Sequence, residues 1–388
     1  MNILLISRGY PSKRDLQWGC FERDQALALQ VAGHKVIIMI VEINTRLYWQ
    51  KLGISHSFED GLDIYRINLP FPYRFISLIS YKWTHFIRQK LALILYKKIE
   101  KEQGKPDILY AHYLNNIAVT CSIKNKYGIP LVGLEHWSEL TKEKIPQYMQ
   151  RRGNLAYNGA DKIIAVSDSL RRQILYHFNK ESFVLHNMIG EEFVSHDIRI
   201  GRELDSPVRY VAVGSLIRRK GFDILIDAFA KSDLKEKGAT ITIIGKGVER
   251  NVLQQQISSA GLINNIFLVG VKSKKEIIEI LKDSDVFILS SLAETFGVVC
   301  IEAMCLGLPV IATVCGGPEE FINEKNGILV PVNDVEALSS ALVEMYNNIN
   351  NYDRDAIANN CRARFSPHVI AEKLTTVFED VIESRGTE

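Results

Sequence analysis

The sequence predicts an α/β protein made of two doubly wound parallel sheets, each covered by helices on both faces. Short β-branched runs alternate with longer helical patterns along all 388 residues, and this alternation is typical of parallel sheets. The length is enough for two or three domains of about 150 residues each. A composition of 47% hydrophobic and 24% charged residues is that of an ordinary globular protein.

Ten short apolar runs are the predicted strands. They are bounded by turn residues and separated by segments in which apolar residues recur at helical spacing. The predicted strands are 3–7, 35–41, 107–110, 130–134, 162–166, 209–213, 240–244, 266–269, 286–289 and 309–312. So many βα units exceed one sheet, which favours two sheets.

A polar segment, 198–207, separates the two sets of strands. We therefore predict an N-terminal domain over 1–200, a C-terminal domain over 201–366 and a separate terminal helix over 367–388. Ser366 followed by Pro367 is a typical helix start. One apolar stripe along this helix predicts that it packs on another element; its members are Ile370, Leu374, Val377 and Val381.

The charge is nearly balanced overall but differs between the halves. The formal net charge is +2, which does not support sequence-independent nucleic-acid binding. Residues 1–204 carry a net +8 and the remainder carries −6. The N-terminal half is therefore the one expected to attract anionic partners.

Cysteine spacing and hydropathy indicate a cytoplasmic protein. The six cysteines form no C-x-x-C pair and are expected to be reduced thiols. Met1 leads directly into a strand-like run, so no signal peptide is expected. The longest apolar runs, such as 91–96, are about a third of a membrane span.

Residues 74–101 mix aromatic and basic side chains. This segment contains Phe75, Trp83, Phe86, Lys82, Arg88, Lys90, Lys97 and Lys98. Two interpretations stay open: a core helix with a solvated basic face, or a helix that contacts an anionic bilayer from the inner face of the cell membrane.

The usual nucleotide-binding fingerprints are incomplete. A dinucleotide site needs G-x-G-x-x-G after a strand, whereas Gly245-Lys-Gly247-Val-Glu is followed by Arg250. A G-x-x-x-x-G-K-[ST] loop is also absent from the sequence. A nicotinamide dehydrogenase is therefore disfavoured.

The segment 290–309 follows a predicted strand and is predicted to form a loop, a helix and a further strand. The helix should begin near Gly297, and its free N–H groups and positive dipole end would favour a phosphate. Glu294 lies in the loop and Glu302 in the second turn of the helix. Because a carboxylate accepts two hydrogen bonds side by side, the pair suits the two sugar ends of a nucleotide-diphosphate sugar.

These residues resemble the family 4 retaining glycosyltransferases of the GT-B fold. The family's E-x7-E signature is similar to Glu294–Glu302 with its internal Phe296-Gly297. Other segments that resemble family motifs are 213–221, 245–249, 316–322 and 326–331. Looser similarities in the N-terminal half are 11–19, 111–113 and 135–138.

The resemblance implies two Rossmann-like domains that face each other across a cleft. The C-terminal domain would hold the sugar nucleotide, the N-terminal domain the acceptor, and the terminal helix would cross back to the first domain. A sugar would pass to a hydroxyl acceptor with retention of configuration. The donor is expected to be UDP- or GDP-linked. The basic N-terminal half and the aromatic-basic segment suit an anionic or lipid-linked acceptor, such as a surface-polysaccharide precursor.

The resemblance also assigns roles to residues. Glu294, His136 and Lys220 would be catalytic, and His112 and Arg8 would bind the acceptor. The donor-binding set would be Gly19, Ser215, Arg219, Lys220, Gly245, Gly247, Glu294, Phe296, Gly297, Val298 and Glu302.

One departure from the family concerns the diphosphate. Ser215 stands where the family usually has arginine, so the diphosphate would rest on Lys220, the Gly297 amides and Arg218 or Arg219. No cofactor and no metal are expected. Asp283-Ser284-Asp285 precedes a strand and so lies at the amino edge, away from the ligand edge of such sheets.

Two alternatives to a transferase stay open. One is a sugar-nucleotide epimerase or hydrolase on the same fold, and the other is a non-catalytic sugar-nucleotide-binding protein, which the missing arginine at Ser215 would favour. The expected partners are a sugar nucleotide, a hydroxyl acceptor and an anionic membrane surface, and not nucleic acid.

Overall fold

The computed structural model describes residues 1–12, 15, 18–43, 52–69, 81–196 and 207–386. The chain divides into two compact units. The first unit comprises Met1–His186 together with Pro367–Glu388, and the second comprises Asn187–Ser366. Each unit contains one sheet flanked by helices, so the predicted α/β class with two sheets is confirmed.

The first unit is built on an eight-stranded sheet in the order β3-β4-β2-β1-β5-β6-β7-β8. Its strands are β1 (Asn2–Ser7), β2 (Lys35–Ile43), β3 (Gly53–Glu59), β4 (Leu62–Leu69), β5 (Ile108–His112), β6 (Leu131–Glu135), β7 (Lys162–Ala165) and β8 (Phe183–Val184). Its helices up to this point in the chain are α1 (Cys20–Val31), α2 (Tyr81–Gln103), α3 (Leu114–Tyr127), α4 (Gln147–Gly159) and α5 (Asp168–Phe178). The central strands are parallel and buried.

The β3–β4 hairpin was not among the predicted strands. β3 pairs antiparallel with β4 at the edge of the sheet, and its residues alternate between half-buried and exposed. The turn is Asp60-Gly61, with φ of 53° and 81°, the conformation that Asp-Gly hairpin turns favour. As an edge strand, β3 lacks the continuous apolar run that marks buried parallel strands, which is why it was missed. β4 lies inside the sheet, but Asp63, Arg66 and Asn68 interrupt its apolar run.

The second unit is built on a six-stranded parallel sheet in the order β11-β10-β9-β12-β13-β14. Its strands are β9 (Arg209–Val213), β10 (Thr240–Ile244), β11 (Ile266–Gly270), β12 (Val286–Leu289), β13 (Val310–Thr313) and β14 (Gly327–Val330). Its helices are α6 (Glu191–Val194), α7 (Phe222–Lys231), α8 (Arg250–Ser259), α9 (Lys274–Lys282), α10 (Val298–Cys305), α11 (Val335–Asn348) and α12 (Arg354–Phe365). Aliphatic and aromatic side chains from strands and helices form its core.

Residues 187–196 belong to the second unit. The Ile189 N–H donates to the carbonyl of Phe365 at 2.9 Å, and Phe193 is buried. The division between the units therefore falls before the predicted boundary at 200/201, which itself lies outside the described residues.

The terminal helix α13 (Pro367–Gly386) belongs to the first unit. Its predicted apolar stripe is buried throughout, since Ile370, Leu374, Val377 and Val381 are at most 5% exposed. Phe378 packs on Tyr110 with ring centroids 5.0 Å apart. The helix therefore completes the core beside β5.

None of the helices in the described ranges has the length and apolar character needed to cross a bilayer. Residues 74–80 of the aromatic-basic segment lie outside the described residues, and helix α2 contains the remainder of that segment.

Candidate active site

The loop between β12 and α10 ends at a left-handed glycine. Gly297 has φ 92° and ψ 50°, and a Cβ there would lie 3.3 Å from Cγ of Pro318. Helix α10 starts at Val298, as predicted. The first N–H groups of a helix have no acceptor within it, so this end of α10 offers donors and a positive dipole end at the carboxyl edge of the sheet.

Lys220 and Glu294 form an ion pair. Their side chains are only 14% and 10% exposed, and the Lys220 Nζ donates to Glu294 Oε1. The Ser291 hydroxyl donates to the same oxygen at 2.7 Å. The structure thus brings together two of the predicted catalytic residues and holds them in a shielded place, where a charge needs a partner.

The Lys220 turn is bound to the Glu294 loop through backbone contacts. The Leu292 N–H donates to the carbonyl of Arg219 at 2.8 Å, and Arg219 Nη1 donates to the carbonyl of Ala293 at 3.1 Å. Gly221 has φ 61°, and a Cβ there would lie 2.1 Å from the Ser290 carbonyl oxygen. Because β9 and β12 are neighbours, the loops that follow them meet at one sheet edge.

Gly245 and Gly247 permit a close backbone approach. A Cβ on Gly245 would lie 1.8 Å from the Gly214 carbonyl oxygen, and one on Gly247 would lie 2.0 Å from that of Leu216. Ser215 is exposed between these contacts. The glycines therefore have a packing reason to be where they are, and their role in donor binding stays a prediction.

The side chain of Phe296 lies in the hydrophobic core of the second unit. It is 1% exposed and packs against Phe321 and Phe365 with centroid distances of 5.2 and 5.8 Å. The side chain is therefore not accessible to a donor, and donor binding through the backbone of Phe296 stays a prediction. Val298 and Glu302 are half-buried on α10.

Two residues that sequence reasoning missed hold the Glu294 loop in place. Thr313 Oγ1 donates to the Ser291 carbonyl at 2.5 Å, and the Glu294 N–H donates to the Cys315 carbonyl at 2.9 Å. Burial, followed by the charge of Glu294, raises the pKa of the Cys315 thiol to about 12. Neither residue stands in a recognisable motif, so no local signal marked them.

In the first unit, His112 and His136 lie side by side. His112 Nδ1 and His136 Nε2 are 3.2 Å apart, and the rings are stacked with centroids 5.3 Å apart. His112 is fully buried. Burial, and then the nearby His136 and Arg8, keep its pKa well below the usual value, so it is neutral at neutral pH.

Glu135 fixes the backbone at His136 and was not predicted to do so. It is fully buried and accepts hydrogen bonds from the N–H groups of Leu114, His136 and Trp137 and from the Tyr157 hydroxyl, at 2.7 to 3.0 Å. The pKa of Glu135 is raised, because the effect of burial outweighs the lowering effect of these hydrogen bonds. The sequence motif containing His136 includes this glutamate, but only the fold shows its four donors.

Arg8 directly follows β1, and Gly19 directly precedes α1. The Arg8 guanidinium is 4.5 Å from the centroid of the Tyr113 ring and 3.4 Å from a Glu22 carboxylate oxygen. Gly19 has φ 81°, and a Cβ there would lie 2.2 Å from the Gly9 carbonyl oxygen. Gly19 is thus required for chain packing. Of its motif 11–19, residues 13, 14, 16 and 17 lie outside the described residues.

Tyr113 has an unusual backbone and was not singled out from the sequence. It precedes α3 with φ 68° and ψ 141°, a region that residues other than glycine rarely adopt. Its N–H donates to the Leu134 carbonyl at 2.8 Å, and its ring lies 5.0 Å from that of His136. Strained residues of this kind gather at functional sites.

The described residues contain no group of three or more histidine, cysteine or acidic side chains suited to a metal. Asp285 is 1% exposed, and its Oδ2 accepts the Arg209 N–H at 2.9 Å. It lies just before β12, at the amino end of that strand, where it caps the neighbouring strand β9.

Family models match both units. The model described as glycosyl transferases group 1 matches residues 197–364, and the model described as glycosyltransferase family 4 matches residues 23–193. The chain therefore belongs to the family 4 glycosyltransferases, which have the GT-B fold, and it is a glycosyltransferase.

Curated relatives agree with this membership. An uncharacterized glycosyltransferase of Methanocaldococcus jannaschii is 29% identical over 256 residues, covering 65% of this chain and 68% of its own length. The putative teichuronic acid biosynthesis glycosyltransferase TuaC of Bacillus subtilis is 25% identical over 363 residues, covering 88% of each protein.

Solved structures show the same fold. A sucrose-phosphate synthase from Thermosynechococcus elongatus is similar with a TM-score of 0.77 at 17% identity, covering 99% of this chain and all of that one. HepE of Anabaena in complex with UDP has a TM-score of 0.70 at 19% identity, covering 98% of this chain and 100% of that one.

Proposed function

We propose that the protein transfers a sugar from a nucleotide-diphosphate sugar to the hydroxyl group of an acceptor, with retention of configuration. The observation that carries this proposal is the Lys220–Glu294 ion pair beside the start of α10 at Val298. This arrangement offers a cation and backbone donors for a diphosphate, and a carboxylate for sugar hydroxyls.

Negative charge grows on the diphosphate as the bond to the anomeric carbon breaks. Groups aimed at that charge lower the barrier more than groups that bind the ground state. Lys220 and the amides at Gly297 and Val298 would supply this stabilisation, with Arg219 as a second cation in place of the arginine that Ser215 replaces. We propose that no divalent cation is needed, so turnover should survive EDTA.

In this proposal the carboxylates of Glu294 and Glu302 bind different ends of the donor. Glu294 would bind hydroxyls of the transferred sugar, since Ser291 already fixes one of its oxygens. Glu302 would bind the ribose. His136 would contact the transferred sugar and Arg8 would bind the acceptor. His112 is fully buried, so it would position His136 through their 3.2 Å contact and not touch the acceptor itself. Retention would follow from attack on the face that the diphosphate leaves, with the departing phosphate accepting the proton.

We propose UDP as the nucleotide, with GDP as the alternative. The support is the similarity of fold to HepE, which was solved with UDP. The acceptor is proposed to be a lipid-linked precursor of a surface polysaccharide. The support is the relative named for teichuronic acid biosynthesis.

The exposed face of α2 favours a place at the inner face of the membrane. Trp83 is 60% exposed, Phe86 48% and Ile94 52%, and Lys90 Nζ lies 5.2 Å from the Phe86 ring centroid. Aromatic and basic side chains on one helix face suit an anionic lipid interface.

The experiment is a thermal-shift screen of the protein against UDP, GDP, ADP and their common sugar conjugates. A true ligand at saturating concentration raises the melting temperature by mass action. NMR of the product formed from the stabilising donor, with and without acceptor, then identifies the reaction. Epimerised donor would support an epimerase, free sugar a hydrolase, and an unaltered donor a binding protein.

A further inference from the structure

A cluster of basic and amide side chains lies in the first unit beside the first turn of α3. Arg88 of α2 donates from Nη2 to Asn116 Oδ1 and to the Val41 carbonyl, both at 3.2 Å. Arg152 of α4 donates from Nη1 to Asn115 Oδ1 at 2.6 Å. Two guanidinium groups from different helices are therefore held by consecutive side chains of one helical turn.

Among the described residues, the charges that act on Arg88 are the guanidinium group of Arg152 and the carboxylate of Glu42. Burial, followed by the charge of Arg152, lowers the pKa of Arg88 to about 10. Burial, Arg152 and Arg88 lower the pKa of His85 to about 4. The carboxylate that opposes Arg88 is Glu42, and burial raises the pKa of Glu42. A bound anion would relieve the repulsion between the two guanidinium groups.

Several buried polar atoms of the cluster have no hydrogen-bond partner among the described residues. Asn116 is 5% exposed, and its Nδ2 is one of these atoms, together with Arg88 Nε and His85 Nε2. Asn68, the register neighbour of Glu42, is 2% exposed and leaves both side-chain atoms unpaired. Buried polar groups are normally paired, and an unpaired one costs free energy.

We infer that Arg88, Arg152 and Asn116 form a binding site for a phosphate or diphosphate group of the acceptor. Guanidinium groups match phosphate oxygens in pairs. The inference rests on the proposed function, because the site adjoins Tyr113 and through it His136. It adds to that function the chemical class of the acceptor.

The phosphate has two possible sources, which are a lipid headgroup and a phosphorylated soluble sugar. Arg88 lies on the opposite side of α2 from the exposed Trp83 and Phe86. A lipid headgroup and a soluble phosphate would meet the same three side chains, so the experiment below has an arm for each source.

The first arm is calorimetric titration with inorganic pyrophosphate. All proteins carry Lys220→Gln, which weakens the diphosphate site proposed in the second unit. Adding Arg152→Gln should weaken pyrophosphate binding at least about tenfold, as expected for a lost charge-assisted hydrogen bond. Adding Arg151→Gln, an equal change of charge at the exposed neighbouring residue, should leave the affinity unchanged.

The second arm uses phosphatidylcholine vesicles that contain either phosphatidic acid, a phosphate monoester, or phosphatidylglycerol, a diester. A headgroup source predicts that Arg152→Gln lowers binding to phosphatidic acid about tenfold and that Arg151→Gln does not. Weaker pyrophosphate binding supports the site. Weaker binding to phosphatidic acid in addition identifies a lipid headgroup as the source, and an effect in the first arm alone identifies a soluble phosphate. If Arg152→Gln and Arg151→Gln behave alike in both arms, the inference is overturned.

Folding and donor binding are controlled separately. Arg152→Lys retains the charge but loses the planar guanidinium group, which can donate two parallel hydrogen bonds. A pyrophosphate affinity between those of the parent and the Arg152→Gln variant would show that the guanidinium geometry contributes to binding. Arg152→Gln with Lys220 intact should show the parent's thermal shift with UDP. If UDP shifts neither protein, the proposed donor is wrong, while the pyrophosphate comparison still decides the anion site.

Discussion

The Lys220 ammonium group and the Glu294 carboxylate, 74 residues apart in sequence, form a largely buried ion pair at one edge of the second sheet. The proposed diphosphate-binding cation is thus oriented by the proposed sugar-binding carboxylate. Removing either partner leaves the other charge shielded and unpaired, which is unfavourable. Changes at Lys220 should therefore alter the interaction with both parts of the donor.

Lys220→Ala should lower turnover by about 10² to 10³, equivalent to about 3–4 kcal/mol of lost transition-state stabilisation. The physical reason is the loss of a positive charge beside the leaving group. The measurement is kcat at saturating concentration of the donor found in the thermal-shift screen. Lys235→Ala, at an exposed position of the same unit, is the control. Unchanged turnover in folded Lys220→Ala would remove this lysine from the mechanism.

Gly297→Ala should lower both stability and donor affinity. At φ 92° a Cβ is strained, which costs about 1–2 kcal/mol, and it also crowds Pro318 at 3.3 Å. Gly33→Ala is the matched control, because Gly33 has φ 90° and no atom within 4 Å of an added Cβ. Chemical denaturation and donor titration measure the two effects. Equal donor affinity in both variants would show that the start of α10 does not bind the donor.

The buried His112 should make the protein less stable in mild acid. Its folded pKa lies well below 6.5, so below about pH 6.5 the unfolded chain binds a proton that the folded chain does not. The free energy of unfolding should then fall by up to about 1.4 kcal/mol per pH unit from this residue. Above about pH 6.5 both states are neutral and the contribution vanishes.

His112→Asn should remove that component of the pH dependence. Urea denaturation at a series of pH values between 7.5 and 5.5, buffered alike, compares the slope with that of the parent protein. His368→Asn, at a side chain that is 76% exposed on α13, is the control for the substitution itself. A slope that His112→Asn does not change would show that His112 becomes protonated in the folded protein.

Trp83→Ala combined with Phe86→Ala should weaken binding to anionic phosphatidylglycerol vesicles at low salt. Burying one large apolar side chain contributes about 1.5–3 kcal/mol, so the loss should be at least about tenfold for the pair. Tyr176→Ala, which removes a 68% exposed aromatic ring from α5, is the control. Vesicle co-sedimentation measures the effect, and equal binding of all three proteins would place the α2 face away from the lipid surface.

Local sequence patterns predicted much of the fold and part of the candidate site. The apolar runs predicted β1, β2 and β12, because buried parallel strands are nearly continuous in apolar residues. The glycine at 297 marked the start of α10, since that start needs a left-handed residue. The β3 edge strand was not predicted, because every second residue of it is exposed.

The sequence by itself determined the two-sheet α/β class and the loops in which Lys220, Glu294 and His136 lie, because strand periodicity, turn glycines and short motifs are properties of neighbouring residues. The tertiary structure alone decided which distant side chains meet. The four donors to Glu135 and the contact of Arg88 with Asn116 depend on packing between elements. Such contacts leave no period in the sequence, so only the folded chain reveals them.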